Sequence, residues 1–96
     1  MATSDLLYKM REPILQLAAH HGAGNVSFFG SVARGEEAAD SDIDLLVDVV
    51  GETSPWFPGR LSADLQDLLG RQVQVVIRRS LNPLIRDNVL KDERPL

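Results

Sequence analysis

Apolar and polar positions change rhythm several times along the 96 residues, and each rhythm predicts a different element. Near the start, Leu6, Met10, Ile14, Leu17 and Ala18 recur at the three- and four-residue spacing of one helix face. Thr3-Ser4-Asp5 offers caps for that helix, and Gly22 and Gly24 mark its end. Pro13 interrupts it: either the helix kinks there and loses the bond to the Lys9 carbonyl, or its regular part begins at Pro13. Residues 26–29 form a short apolar run that stops at Gly30-Ser31. A second run opens at Ile43, where Ile43, Leu45 and Val47 alternate with Asp42 and Asp44, the period of a strand with one apolar and one acidic face. Leu61, Leu65, Leu68 and Leu69 return to helical spacing over residues 60–69, with Gly70 at the stop. In residues 73–77, Val73, Val75 and Ile77 alternate with Gln74 and Val76, a third strand. Leu84, Ile85, Val89 and Leu90 make a short last helix behind an Asn82-Pro83 cap.

Helix, strand, short helix, strand, helix, strand, helix predicts an α/β domain in which a small mixed sheet is covered by helices. Because Asp42 and Asp44 share a face of the second strand, that face of the sheet should be open at that end. Gly, Pro and Ser crowd residues 51–59, a loop around Trp56-Phe57. These two aromatics either stack on a base or dock a partner, or they pin the loop to the core; packing is the expectation.

The chemistry concentrates between Val26 and Val49. A helix that begins straight after a strand leaves its first backbone N–H groups unpartnered and its dipole positive at that end, so an anion is stabilised there. Gly30 lets a phosphate approach the main chain, Ser31 adds a hydroxyl, Arg34, one turn on, is a candidate to face the same nucleotide phosphate, and Gly35 can end the helix. An ordinary turn followed by an N-cap serine accounts for the same residues. Asp42 and Asp44 have Cα atoms about 7 Å apart on one face, close enough to converge on one cation or on two roughly 4 Å apart. Solvated charges at a strand edge are the plain alternative. What changes the balance is that both halves occur together, joined by a short loop.

Composition narrows the field. One domain spanning residues 1–96 is expected, with 44% hydrophobic and 25% charged residues, ordinary values for a soluble globular chain. No apolar run approaches a membrane span, and no basic-then-apolar leader is visible. The absence of cysteine removes disulfides and thiolate metal sites and fits a cytoplasmic setting. With ten Lys plus Arg against fourteen Asp plus Glu, and no basic run, the chain has little to attract nucleic acid directly. Arg78-Arg79 at a strand end offers charge for phosphates but reads more simply as solvated charge. His20 and His21 lack His or Cys partners at ligand spacing, so zinc is not expected.

The string Gly30-Ser31-x-Ala33-Arg34-Gly35 followed by Ser41-Asp42-Ile43-Asp44-Leu45 resembles the signature of the DNA polymerase β-like nucleotidyltransferases, and within them the minimal nucleotidyltransferase (MNT) group. The resemblance implies a polymerase β-like palm core. It implies Gly30 and Ser31 on the nucleotide triphosphate, Asp42 and Asp44 as catalytic ligands of Mg²⁺ (or Mn²⁺), and transfer of a nucleoside monophosphate, usually AMP from ATP, with release of pyrophosphate. It also implies a HEPN-domain partner, because MNT proteins are often paired with HEPN toxins and neutralise them by contact, by AMP transfer, or by both. A domain this small cannot enclose a sizeable acceptor, and an oligomer stays open. One position departs from the pattern: the third carboxylate expected on the next strand is replaced by Gln74, whose amide can offer an oxygen but cannot act as a general base. Asp48 does not replace it, lying roughly 13 Å along the strand from Asp44. Two functions follow, an adenylyl-transferring antitoxin and a nucleotide-holding but catalytically weak antitoxin that masks its partner. No residue has a clear claim to reading a purine edge.

Overall fold

The computed structural model describes residues 2–36, 38 and 41–96; Glu37, Ala39 and Asp40 of the signature loop lie outside the described residues. The first helical pattern is two helices, α1 (Thr3–Lys9) and α2 (Arg11–His20), broken at Met10. Pro13 falls in the first turn of α2, where its missing N–H has no intrahelical partner to lose. The break also changes the phase of burial. Leu7, absent from the single-helix pattern, is fully buried with Ile14 and Ala18, while Leu6, Met10 and Leu17 are only partly covered. The Asp5 carboxylate accepts from the Ala2 N–H at 3.2 Å, steadying the first turn.

Strand β1 (Ala23–Phe29) runs into the five-residue helix α3 (Gly30–Arg34), and β2 (Ile43–Val49) returns beside it. Helix α4 (Gly59–Leu69) then crosses to β3 (Val73–Ile77), a short 3-10 turn spans Arg78–Ser80, and α5 (Pro83–Asp92) leads to β4 (Arg94–Pro95). The sheet order is β3-β2-β1-β4, with β2 and β3 parallel and the other pairs antiparallel, the expected mixed sheet. The crossover explains the parallel pair, since two parallel neighbours need a long connection such as α4. Strand β4 was not foreseen; it adds an edge through the Leu96 N–H to the Val26 carbonyl, 2.9 Å.

Ile43, Leu45, Val47, Val73, Val75 and Phe28 join Ile14, Ala18, Leu61, Leu65 and Leu69 in one buried cluster, so the aliphatic side of the sheet lies against α2 and α4. The stripe read from leucine spacing is therefore core. His21 Nε2 lies 2.7 Å from Asp64 Oδ2, tying α2 to α4. On the other side of the sheet Leu46 is fully buried, outside that cluster, while Asp42 and Gln74 are exposed. That side is thus open at the end that carries the acids.

Two expectations divide. Phe57 packs against the core, as expected, but Trp56 is 72% exposed. The last helix forms with the Asn82 side chain accepting from the Leu84 N–H at 2.9 Å. Its apolar residues do not become core: Leu84 is 89% exposed and Ile85 49%. No helix among the described residues is long and apolar enough to cross a membrane.

Candidate active site

The β1–β2 register sets the geometry. Phe29 pairs with Asp44, so the first residue of α3 emerges beside that carboxylate. Gly30 takes φ +73°, and a Cβ added there would sit 2.7 Å from Asp44 Oδ2. Only a residue without a side chain leaves that carboxylate in place while keeping a left-handed backbone. The β2–β3 register places Gln74 directly opposite Asp44, so Gly30, Asp44 and Gln74 form a row across the open sheet end.

Helix α3 ends where Gly35 takes φ +70°, as expected from its position. Its N-cap is Phe29 rather than Ser31, and among the described residues no side chain caps the first amides. Ser31 sits inside the first turn, and its hydroxyl engages none of the described residues. These N–H groups and the hydroxyl are therefore free to serve an anion.

Burial pushes the Asp44 carboxyl above the usual carboxylate range; the charge of Asp42 adds to the rise, and Arg34 opposes it. A carboxylate held in a half-buried corner beside a second acid makes a place where a cation can be accommodated. Among the described residues no group of three His, Cys, Asp or Glu side chains converges, and Asp42 and Asp44 are the acids described at this corner. Arg34 lies near enough to influence Asp44, yet its guanidinium is engaged by Glu36 at 2.9 Å and Asp92 at 2.8 Å.

Sequence spacing missed two arginines. Arg71 donates to the Ser41 carbonyl at 2.6 Å and to Thr3 Oγ1 at 3.0 Å, fixing the chain just ahead of Asp42. Arg78 is not a solvated charge: it donates to Asp48 Oδ1 at 2.5 Å, to the Asn25 carbonyl at 3.0 Å and to Glu93. Arg79 does stay exposed. Two larger grooves, of about 290 and 350 Å³, are lined by Arg34 with Arg94 and by Asp48 with Arg78 and Glu93. Neither contains Gly30, Asp42 or Asp44, and their charges are already bonded within the protein.

A mixed sheet with a Gly-Ser turn opening a short helix against a half-buried Asp-x-Asp strand defines a nucleotidyltransferase scaffold. Residues 13–96 match the family described as Polymerase beta, Nucleotidyltransferase, and the chain belongs to it. A Thermococcus cleftensis relative named protein adenylyltransferase MntA is 36% identical over 77 residues, covering 80% of this chain and 78% of that protein. A solved structure of a minimal nucleotidyltransferase matches with a TM-score of 0.81 and 44% identity, covering 100% of this chain and 97% of the other. A chain in the complex of a tri-AMPylated Shewanella oneidensis HEPN toxin with an MNT antitoxin matches at 19% identity with a TM-score of 0.68. That match covers 92% of this chain and 69% of the other, and it shows the shared fold.

Proposed function

We propose that this protein transfers AMP from ATP to a protein acceptor, a HEPN-domain toxin, in a Mg²⁺-dependent reaction, and acts as the antitoxin of the pair. The observation that carries the reading is the contact between the two halves of the signature, Gly30 against Asp44 Oδ2. The name of the Thermococcus relative and the AMPylated toxin in the Shewanella complex give the direction for donor and acceptor.

The donor set suits magnesium: Asp42 and Asp44 are hard oxygen ligands, Gln74 can add an amide oxygen, and Mg²⁺ is commonly held by one or two carboxylates plus substrate phosphates. When bound, the cation neutralises phosphate charge and orients the triphosphate. Gly30, Ser31 and the amides opening α3 would receive the departing pyrophosphate, which positions the α-phosphorus for attack. The acceptor hydroxyl forms the new P–O bond as the bond between α-phosphorus and bridging oxygen breaks. Its proton must leave to solvent or to the acceptor's own groups, because Gln74 cannot take it.

Gln74 also supports a second reading, a nucleotide-holding antitoxin that masks its partner without transfer. Gln74→Asp separates them: a strong rise in transfer supports a catalytic site limited by its base, and no change counts against that explanation. Thermal unfolding tests the site itself. With Mg²⁺ and ATP together at about 100 times the dissociation constant, stabilisation of about 2.7 kcal/mol is expected. In a domain of this size that raises the midpoint by roughly 10–20 °C. Either ligand alone should do much less, and Asp44→Asn should remove the effect. An equal response in Asp42→Asn, Asp44→Asn and the parent would overturn the assignment.

A further inference from the structure

A cleft of about 220 Å³ opens between α3 and α5. Its lining includes Gly30, the glycine that abuts Asp44, so it adjoins the corner where the two halves of the signature meet. On α5 it is formed by Ile85, Asn88, Val89 and Asp92, at i, i+3, i+4 and i+7, one stripe of a single helix face. The Arg34–Asp92 pair at 2.8 Å ties α5 to α3 across it and fixes its width.

We propose that this cleft is the nucleobase subsite and that Asn88 selects adenine; the inference rests on the nucleotide reading given above. Pockets for whole ligands run to about 300–1,000 Å³, so a cleft of this size takes one part of a nucleotide. The chemistry says which part. Phe29, Ile85 and Val89 are apolar, and the Arg34 and Asp92 charges are already paired, so the lining suits a planar uncharged group and not a triphosphate. Asn88 is the one uncharged polar side chain in the lining, and its amide engages none of the described residues. An amide carries an acceptor beside two donors, matching the donor N6 and acceptor N7 of adenine, whereas guanine turns two acceptors, O6 and N7, to the same edge. This also explains the exposure of Ile85, whose covering group would be the base.

The test compares full-length parent, Asn88→Asp and Ile85→Glu in thermal titrations with Mg²⁺ plus ATP, GTP or inorganic tripolyphosphate. The parent should bind ATP at least tenfold tighter than GTP. Asn88→Asp, which keeps acceptors and loses donors, should lower that ratio at least fivefold. Ile85→Glu should weaken both nucleotides severalfold. Neither change should alter the tripolyphosphate response, which reads the phosphate end alone, nor the unfolding midpoint without ligand by more than a few degrees. Unchanged ATP affinity and unchanged base ratio in both variants, with Asp44→Asn still abolishing binding, overturns the subsite and leaves the nucleotide site standing. Loss of toxin capture in these variants with nucleotide binding intact overturns it too, in favour of a protein-docking face. No response of the parent to ATP or tripolyphosphate overturns both readings together.

Discussion

Replacing Gly30 by alanine should disturb this protein in two separable ways. Gly30 and Gly35 have nearly the same backbone, φ +73° and φ +70°, but different surroundings. A Cβ at Gly35 would meet nothing within 4 Å, so Gly35→Ala reports the left-handed backbone alone, about 1–2 kcal/mol. At Gly30 the same atom would lie 2.7 Å from Asp44 Oδ2, well inside the 3.5–4.0 Å optimum of roughly that order for carbon contacts. The carboxylate must turn away, which adds about 1 kcal/mol or more by analogy with other overpacked sites. Gly30→Ala should therefore cost about 2–4 kcal/mol, against about 1–2 for Gly35→Ala. In a domain of this size each kcal/mol lowers the midpoint by about 4–8 °C. Asp44→Ala supplies the control, because it leaves only Asp44 Cβ at 3.8 Å, an ordinary contact. In that background Gly30→Ala should cost no more than Gly35→Ala, giving a coupling of about 1 kcal/mol by urea unfolding, within the range for touching residues. Equal costs for the two glycine variants in both backgrounds would refute the contact and, with it, the geometry of the site.

Asp44→Asn should stabilise the ligand-free protein at neutral pH. A carboxyl whose folded pKa is raised above its ordinary value near 3.8 contributes stability below that value and loses it as pH rises through the folded one. The gain of the variant, read from midpoints across pH, should therefore vanish in acid. Asp48 behaves oppositely. Its hydrogen bond from Asn25 lowers its pKa, burial opposes this, and Arg78 lowers it further. Its contribution is present above about 3.8 and is lost as pH falls through the lower folded value, so Asp48→Asn should flatten the acid limb of the stability profile. In the core, Leu65 is 1% exposed, and Leu65→Ala should cost about 2–5 kcal/mol. Leu84, 89% exposed, should tolerate alanine within about 0.5 kcal/mol.

Periodicity carried the elements that bury a continuous stripe. Leu61, Leu65 and Leu69 are core because helical spacing forces them onto one face, and Gly70 stops the helix in a left-handed turn, φ +67°. Asp44 was placed on β2 for the same reason, with a strand period of two, while Asp42 stands just ahead of the strand. The contact of Gly30 with Asp44 was not, because it depends on the β1–β2 register, a long-range choice that no local pattern encodes. The same limit hid Arg78: its partners Asp48 and Glu93 lie on β2 and just beyond α5, and only the folded sheet brings them together. For α5, spacing showed a short helix but not that Ile85 and Val89 would line a cleft beside α3 while Leu84 stays exposed. A lone asparagine inside a helix carries no pattern at all, so Asn88 became visible only as part of that wall.

The central claim is that Asp42 and Asp44 support nucleotidyl transfer onto a protein. The most direct measurement incubates the protein and a HEPN-domain toxin with Mg²⁺ and ATP labelled at either the α- or the γ-phosphate, and follows label in the toxin. The account predicts label from the α-phosphate only, absent with Asp42→Asn and Asp44→Asn. A toxin that is bound and silenced without acquiring α-label, equally by the parent and by Asp44→Asn, would contradict it and identify the protein as a masking subunit.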